Sequence, residues 1–153
     1  MHDKQITVVA VDDHPLIREA IRIRLERDSE ITLVGEGTRG EQVLPLVEAH
    51  RPDVLLLDLL MPQYADEGKG DFPYLETITA LVRLYPRTKI IILSQEDRPE
   101  VVAEMIRIGI QGYLMKGDAS SLQLAEAVKK VNAGESVFSS AIVKMRSGQN
   151  FPL

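Results

Sequence analysis

The sequence predicts an α/β protein, a doubly wound parallel sheet with helices on both faces, and three observations predict it. Short apolar runs alternate five times with amphipathic segments. Three of those runs lack the polar alternation of a half-exposed strand, as strands covered on both faces do. A chain of 153 residues with 44% hydrophobic content suffices for one domain around one continuous core.

The elements follow in order. The first strand is "ITVVAV", and the helical segment after it, "PLIREAIRIRLERD", opens on Pro15, which suits a first helical turn, and repeats Ile17 and Ile21 on one face. "ITLVGE" is the second strand. In the next helical segment, "RGEQVLPLVEAHRP", Pro45 falls inside the pattern and is expected to kink or delay the helix. "VLLLDL" and "KIIILS" are the third and fourth strands, each followed by an amphipathic segment, "YLETITALVRLYP" and "RPEVVAEMIRIGI". "GYLMK" is the fifth. The last helical segment, "SSLQLAEAVKKVNAG", carries a capping-box pattern in Ser120 and Gln123, a stripe of Leu124, Val128 and Val131, and a C-terminal glycine, Gly134. Right-handed crossovers leave few topologies for five strands, and the flavodoxin-like order 2-1-3-4-5 with five flanking helices is expected. Residues 1–135 are expected to be one domain, and 136–153 a short helix, "ESVFSSAIVKM", and a linker, "RSGQNFPL".

Charge and composition exclude several functions. Lys+Arg 18 against Asp+Glu 23 gives a net charge of -5, the wrong sign for a surface that must displace counterions from a phosphate backbone, so this chain alone is not expected to grip nucleic acid. There is no cysteine for a disulfide framework. The N-terminal apolar run is too short for a signal peptide, and no stretch reaches membrane-spanning length; a cytoplasmic protein with no membrane partner is expected.

In doubly wound sheets ligands bind outside the carboxyl ends of the strands, where the winding reverses. Asp12 and Asp13 end the first strand, Asp58 the third, Ser94 the fourth and Lys116 the fifth, so five polar side chains converge on one edge. Adjacent aspartates are commonly only solvated turn residues. Here the other strand-end groups make them a site. Two like charges about 4 Å apart repel by roughly 4 kcal/mol at an effective dielectric near 20, so a counter-charge is required. Hard oxygen donors of this kind suit Mg²⁺ rather than zinc.

The motifs "VDDHPL", "LLLDLLMP", "IILS" and "GYLMKG", in this order, make residues 5–134 resemble the receiver domain of bacterial two-component response regulators. The resemblance implies that a sensor histidine kinase phosphorylates Asp58. It implies that Mg²⁺ is held by Asp13, Asp58 and the backbone carbonyl of Leu60, with Asp12 acting through a water. Lys116 would pair with the phosphoryl oxygens, and Ser94 and Tyr113 would form the switch pair. It implies a signalling domain whose only chemistry is its own phosphorylation and dephosphorylation, and a homodimer on phosphorylation. The opening "DDHPL" and the stretch "NAGESVFS" resemble receivers of LuxR-type transcription regulators, which implies a C-terminal DNA-binding output domain outside this chain.

Plainer readings stand beside these. Tyr113 can be ordinary core, His14 in its turn reads as structural rather than as a ligand or phosphate carrier, and Arg18, Arg22, Arg24 and Arg27 read as a solvated helix face that in receivers helps to dock the kinase. The sequence also departs from the family. The loop "QYADEGKGDFPY" is longer than usual, Gln95 stands where a small residue is common, and Gly117 stands where proline is common. The loop reads as a tolerated surface insertion before it reads as a partner site. A flavodoxin-like cofactor binder would need a phosphate-cradling loop where "DDHPL" puts two negative charges. A Mg²⁺-dependent phosphohydrolase would need a general acid at position 60, which is leucine. A receiver-like module that binds partners without being phosphorylated has no feature in its favour.

Overall fold

The alternation of the first apolar run decides the layering. In β1 (Ile6–Val11), Val9 and Val11 face one side of the sheet while Val8 and Ala10 face the other. β3 (Val54–Leu57) is buried on both faces, and β4 (Lys89–Ser94) is buried along all but its first residue. β2 (Ile31–Gly37) and β5 (Gly112–Met115) flank them. The computed structural model describes residues 5–65, 71–117 and 123–148, with side chains to residue 144 in the last stretch.

Helices cover both faces. On one, α1 (Pro15–Glu26) and α5 (Leu124–Asn132) bury Ile21, Leu25, Leu124 and Val128 against Val8, Leu56 and Leu114. On the other lie α2 (Val43–His50), α3 (Tyr74–Leu84), α4 (Pro99–Ile108) and α6 (Ser140–Gly148), which set Val47, Ile78, Met105 and Ile142 over Val9, Leu55 and Ile92. Each fully buried aliphatic side chain of this kind contributes roughly 1.5–3 kcal/mol.

Local signals account for the helix ends. Pro15 and Pro99 stand in the first turns of α1 and α4, where a missing N–H costs nothing. Gly109 (φ 116) and Gly134 (φ 99) take the left-handed conformation at the ends of α4 and α5. Pro45 delays α2: a 3-10 turn at Gly40–Gln42 comes first, and Pro45 then falls in the first turn of α2, where no intrahelical acceptor awaits its nitrogen. Ser120, the first member of the expected capping box, lies outside the described residues.

The sheet is parallel throughout, in the order β2-β1-β3-β4-β5-β6. Among the described residues the fold has six strands where five were expected, and six helices: the five flanking ones and α6, which falls where a short helix was expected after residue 136. The additional strand, β6 (Val137–Phe138), pairs Val137 with Gly112 and Phe138 with Tyr113. Two residues are too few to show a period of two, so the stretch read as helix and linker gave no strand signal. Its attachment is nevertheless specific. The Ser139 N–H donates to Tyr113 O at 3.0 Å, Met115 N–H donates to Ser139 Oγ at 3.3 Å, and Ile142 of α6 is completely buried. Ile142→Ala is therefore expected to cost about 2–4 kcal/mol, read as a lower midpoint in chemical denaturation. A change within 0.5 kcal/mol would mean that α6 does not belong to the core.

Candidate functional site

Strand register builds the site. Val11 lies beside Leu57 in the sheet, and the Asp58 N–H donates to Val11 O at 3.1 Å, so Asp12 and Asp58 emerge together at the carboxyl edge. Both are buried, with 2% and 1% of their surface exposed. Lys116 follows β5 directly, its N–H donating to Ser94 O at 3.0 Å. Its ammonium lies 2.7 Å from Asp12 Oδ2 and 3.0 Å from Asp58 Oδ2. The other Asp58 oxygen, Oδ1, accepts from the Leu60 N–H at 3.1 Å, so both carboxylate oxygens are oriented. Asp13, half-buried, completes the acidic group.

The charges do not balance among these residues. Three carboxylates face one lysine. The carboxyl of Asp58 is held above the ordinary carboxylate range, first by burial and then by the charge on Asp12, against the pull of Lys116 and of the Leu60 N–H. Asp12, Asp13, His14 and Asp58 each offer one ligand atom, all within 4.8 Å of one another. Buried carboxylate oxygens with an unmet demand for positive charge fit a hard divalent cation such as Mg²⁺.

His14 enters this site, contrary to its reading as a structural turn residue. It caps the N-terminus of α1, its N–H donates to Asp12 Oδ1 at 2.8 Å, and its ring Nδ1 lies 2.9 Å from the same oxygen and 3.2 Å from Asp13 Oδ1. The signal was present in the sequence. An aspartate side chain commonly accepts from the backbone N–H two residues on, which brings the His14 N–H to Asp12. Arg18, one of the first-helix arginines, donates to Asp12 O at 3.1 Å instead of only facing solvent.

Ser94 is fully buried, and its Oγ accepts from the Glu96 N–H at 3.2 Å. Tyr113 is fully buried as well, its hydroxyl donating to Glu96 O at 2.6 Å. Burial pushes that hydroxyl well above the usual tyrosine range, so it remains a donor. The Tyr113 ring lies inside the protein. The two candidate switch residues thus meet through the two backbone groups of one residue, Glu96, which sequence reasoning missed. The Glu96 carboxylate, itself buried, pairs with Arg98 (Nε to Oε1 2.8 Å), and that guanidinium holds it below the usual range. Gln95, which stands where a small residue is common, is exposed. The long loop leaves at Met61 and returns at Phe72, whose N–H donates to Met61 O at 3.1 Å and whose ring is buried; residues 66–70 lie outside the described part.

Known proteins resemble this chain over most of its length. The family model of the response regulator receiver domain matches residues 8–129. The chain is 34% identical over 134 residues to the transcriptional regulatory protein DegU of Brevibacillus brevis, covering 88% of this chain and 53% of that protein. Among solved structures, the signal receiver domain of the response regulator NarL from Mycobacterium tuberculosis aligns at a TM-score of 0.73 with 31% identity, over 87% of this chain and 100% of that one. RcsB from Salmonella enterica serovar Typhimurium, solved bound to a promoter in the presence of a phosphomimetic, aligns at 0.80 with 24% identity, over 94% of this chain and 67% of that one, and shows the shared fold. The chain spans about half the length of the DegU protein it matches.

Proposed function

The chain belongs to the response regulator receiver family, and from that premise we propose that Asp58 is its phosphoacceptor, taking a phosphoryl group from a phosphohistidine of a sensor kinase. The observation that carries this reading is the setting of Asp58 between the Leu60 N–H and the Lys116 ammonium, with Asp12 and Asp13 alongside. A carboxylate oxygen of Asp58 attacks phosphorus. The new O–P bond forms as the N–P bond breaks, and the imidazole leaves with the electron pair. Lys116, 3.0 Å from Asp58 Oδ2, meets the charge on the phosphoryl oxygens. Asp12, Asp13, Asp58 and the Leu60 carbonyl would hold Mg²⁺, which supplies the remaining charge neutralisation at the phosphoryl group. Hydrolysis of the aspartyl phosphate by a water returns the domain to its starting state.

A phosphohydrolase reading has less support. Position 60 is leucine, which offers backbone groups, its N–H already donated to Asp58, and no side-chain acid. The reading extends beyond this domain. DegU is a transcriptional regulator about twice as long as the stretch matched, and RcsB was solved on a promoter. By analogy, the receiver expected at residues 1–135, extended by β6 and α6 packed on its sheet, leads toward a DNA-binding output domain outside this chain, and phosphorylation promotes pairing of receivers.

The test is incubation of the chain with Mg²⁺ and a small acyl-phosphate donor, followed by intact mass. A gain of one phosphoryl group is expected, and no gain with several donors would overturn the proposal. A companion measurement addresses the cation. Asp13→Ala removes one ligand oxygen while leaving Asp12 and Asp58 in place, and a Mg²⁺ affinity weaker by about tenfold, a loss near 1.4 kcal/mol, is expected in calorimetric titration. Unchanged affinity would remove Asp13 from the ligand set.

A further inference from the structure

His14 stands at the centre of the candidate cation site. Its backbone and ring serve different ends. The N–H donates to Asp12 Oδ1 at 2.8 Å and closes the turn into α1. The ring Nδ1 lies 2.9 Å from Asp12 Oδ1, 3.2 Å from Asp13 Oδ1 and 3.7 Å from Asp58 Oδ2, with Lys116 Nζ 2.9 Å away. Those three oxygens come from the carboxylates on which the Mg²⁺ reading rests.

An imidazole nitrogen either carries a proton and donates or presents a lone pair and accepts. Nδ1 therefore cannot serve the carboxylates and the lysine at once. Mg²⁺ demands a near-octahedral shell of oxygens at about 2.0–2.1 Å, and imidazole is a donor that suits zinc, copper or nickel instead. An ion drawing in Asp12, Asp13 and Asp58 needs the space that Nδ1 fills. The ring has a way out, because the His14 side chain is 30% exposed. Its backbone does not have to move: it sits in an extended conformation (φ -88, ψ 112) fixed by the following Pro15, so rotation about the side-chain bonds alone takes the ring to solvent.

We propose that the His14 imidazole is a displaceable plug of the cation site, bonded within the acidic group when the ion is absent and turned to solvent when Mg²⁺ binds. The plug rests on the Mg²⁺ reading above and adds to it a built-in competitor. A ligand that binds only the ring-out state has its affinity reduced by the fraction of molecules in that state, so one competent molecule in about ten weakens binding about tenfold.

The test is calorimetric titration of the full chain with Mg²⁺ alone, for wild type and His14→Ala, with NMR of the histidine ring resonances. The variant is expected to bind Mg²⁺ about five- to tenfold tighter. In the wild type, the His14 ring signals, assigned by their loss in the variant, are expected to move as Mg²⁺ saturates while those of His50 stay. Equal affinities would overturn the plug and leave the Mg²⁺ reading standing. Weaker binding by the variant would make His14 a ligand and overturn it too. No Mg²⁺ binding by either protein would remove the cation site and the plug together. His14→Asn removes the ring and places a helix-capping side chain at the N-cap position, where the His14 side chain makes no cap hydrogen bond, and it is expected to tighten binding as alanine does. If it bound like the wild type, the gain in alanine would come from a loosened turn, and the plug would fail.

Discussion

Asp58→Asn is expected to take up no phosphoryl group from any donor, to keep its fold, and to be more stable than the wild type when divalent cations are chelated. The loss of labelling follows from position. Asp58 has one oxygen held by the Leu60 N–H and the other by Lys116; Asp12 is held likewise by the His14 N–H and Lys116, but its N–H-bound oxygen also faces the His14 ring. An amide has no carboxylate to form the acyl phosphate. The gain in stability follows from electrostatics. Because the folded-state pKa of Asp58 is raised, the native state binds a proton more readily than the unfolded chain does. Asp58 therefore costs stability at neutral pH, and the cost disappears as pH falls through the raised value toward the unfolded one. Asparagine removes the charge at every pH, and each kcal/mol relieved is worth about 2–4 °C in Tm for a domain of this size. Intact mass, peptide mapping and thermal melts in chelator check all three parts. A label found on His14 or Asp66, or retained on the variant, would remove Asp58 from its role; an unchanged melt would mean that Lys116 fully offsets the repulsion from Asp12.

The parts of this site that were legible in the sequence lie where a strand ends. An apolar run fixes its own last residue, so Asp12, Asp58, Ser94 and Lys116 could be placed on one edge without coordinates, and hydrogen bonds from Asp58 to Val11 and from Lys116 to Ser94 show how near they lie. What could not be read depends on contacts between residues far apart in the chain or on backbone groups. Nothing in residues 12–16 announces that the His14 ring reaches Lys116. Glu96 escaped because its part is played by its N–H and C=O, which every residue possesses. β6 escaped because two residues carry no periodicity; its place is set by Gly112, where an added Cβ would lie 3.1 Å from Val137 O, and by Ser139. Pro45 was read correctly as a disturbance, but choosing between a kink and a delay required the 3-10 turn before it.

Ser94→Ala is expected to accept a phosphoryl group at Asp58 yet to lose most of its response to it. In the unphosphorylated chain the Ser94 hydroxyl oxygen holds the Glu96 N–H, and the Tyr113 hydroxyl holds the Glu96 carbonyl. A phosphoryl group at the end of β3 offers strong acceptor oxygens, and a Ser94 O–H that turns to donate to them shifts or releases the Glu96 N–H. The β4–α4 connection then moves, and Tyr113, tethered to its carbonyl, carries the change to β5 and to β6 beyond it. Converting such an element from 1:99 to 99:1 requires about 5.5 kcal/mol of differential stabilisation. A hydrogen bond to a charged group gives about 1.5–3 kcal/mol, so Ser94 cannot supply the whole, and the Lys116 contact must supply part of the rest. Removing the hydroxyl should then reduce the switched-to-unswitched ratio by about tenfold to a hundredfold. Light scattering of the acyl-phosphate-treated protein measures the self-association that this ratio controls. Tyr113→Phe cuts the same chain at its other end, leaving the Glu96 carbonyl without its 2.6 Å donor, and is expected to weaken the response in the same direction. If both variants associated as the wild type does once phosphorylated, Glu96 would not be the joint between the two residues, and the signal would have to leave the site by another route.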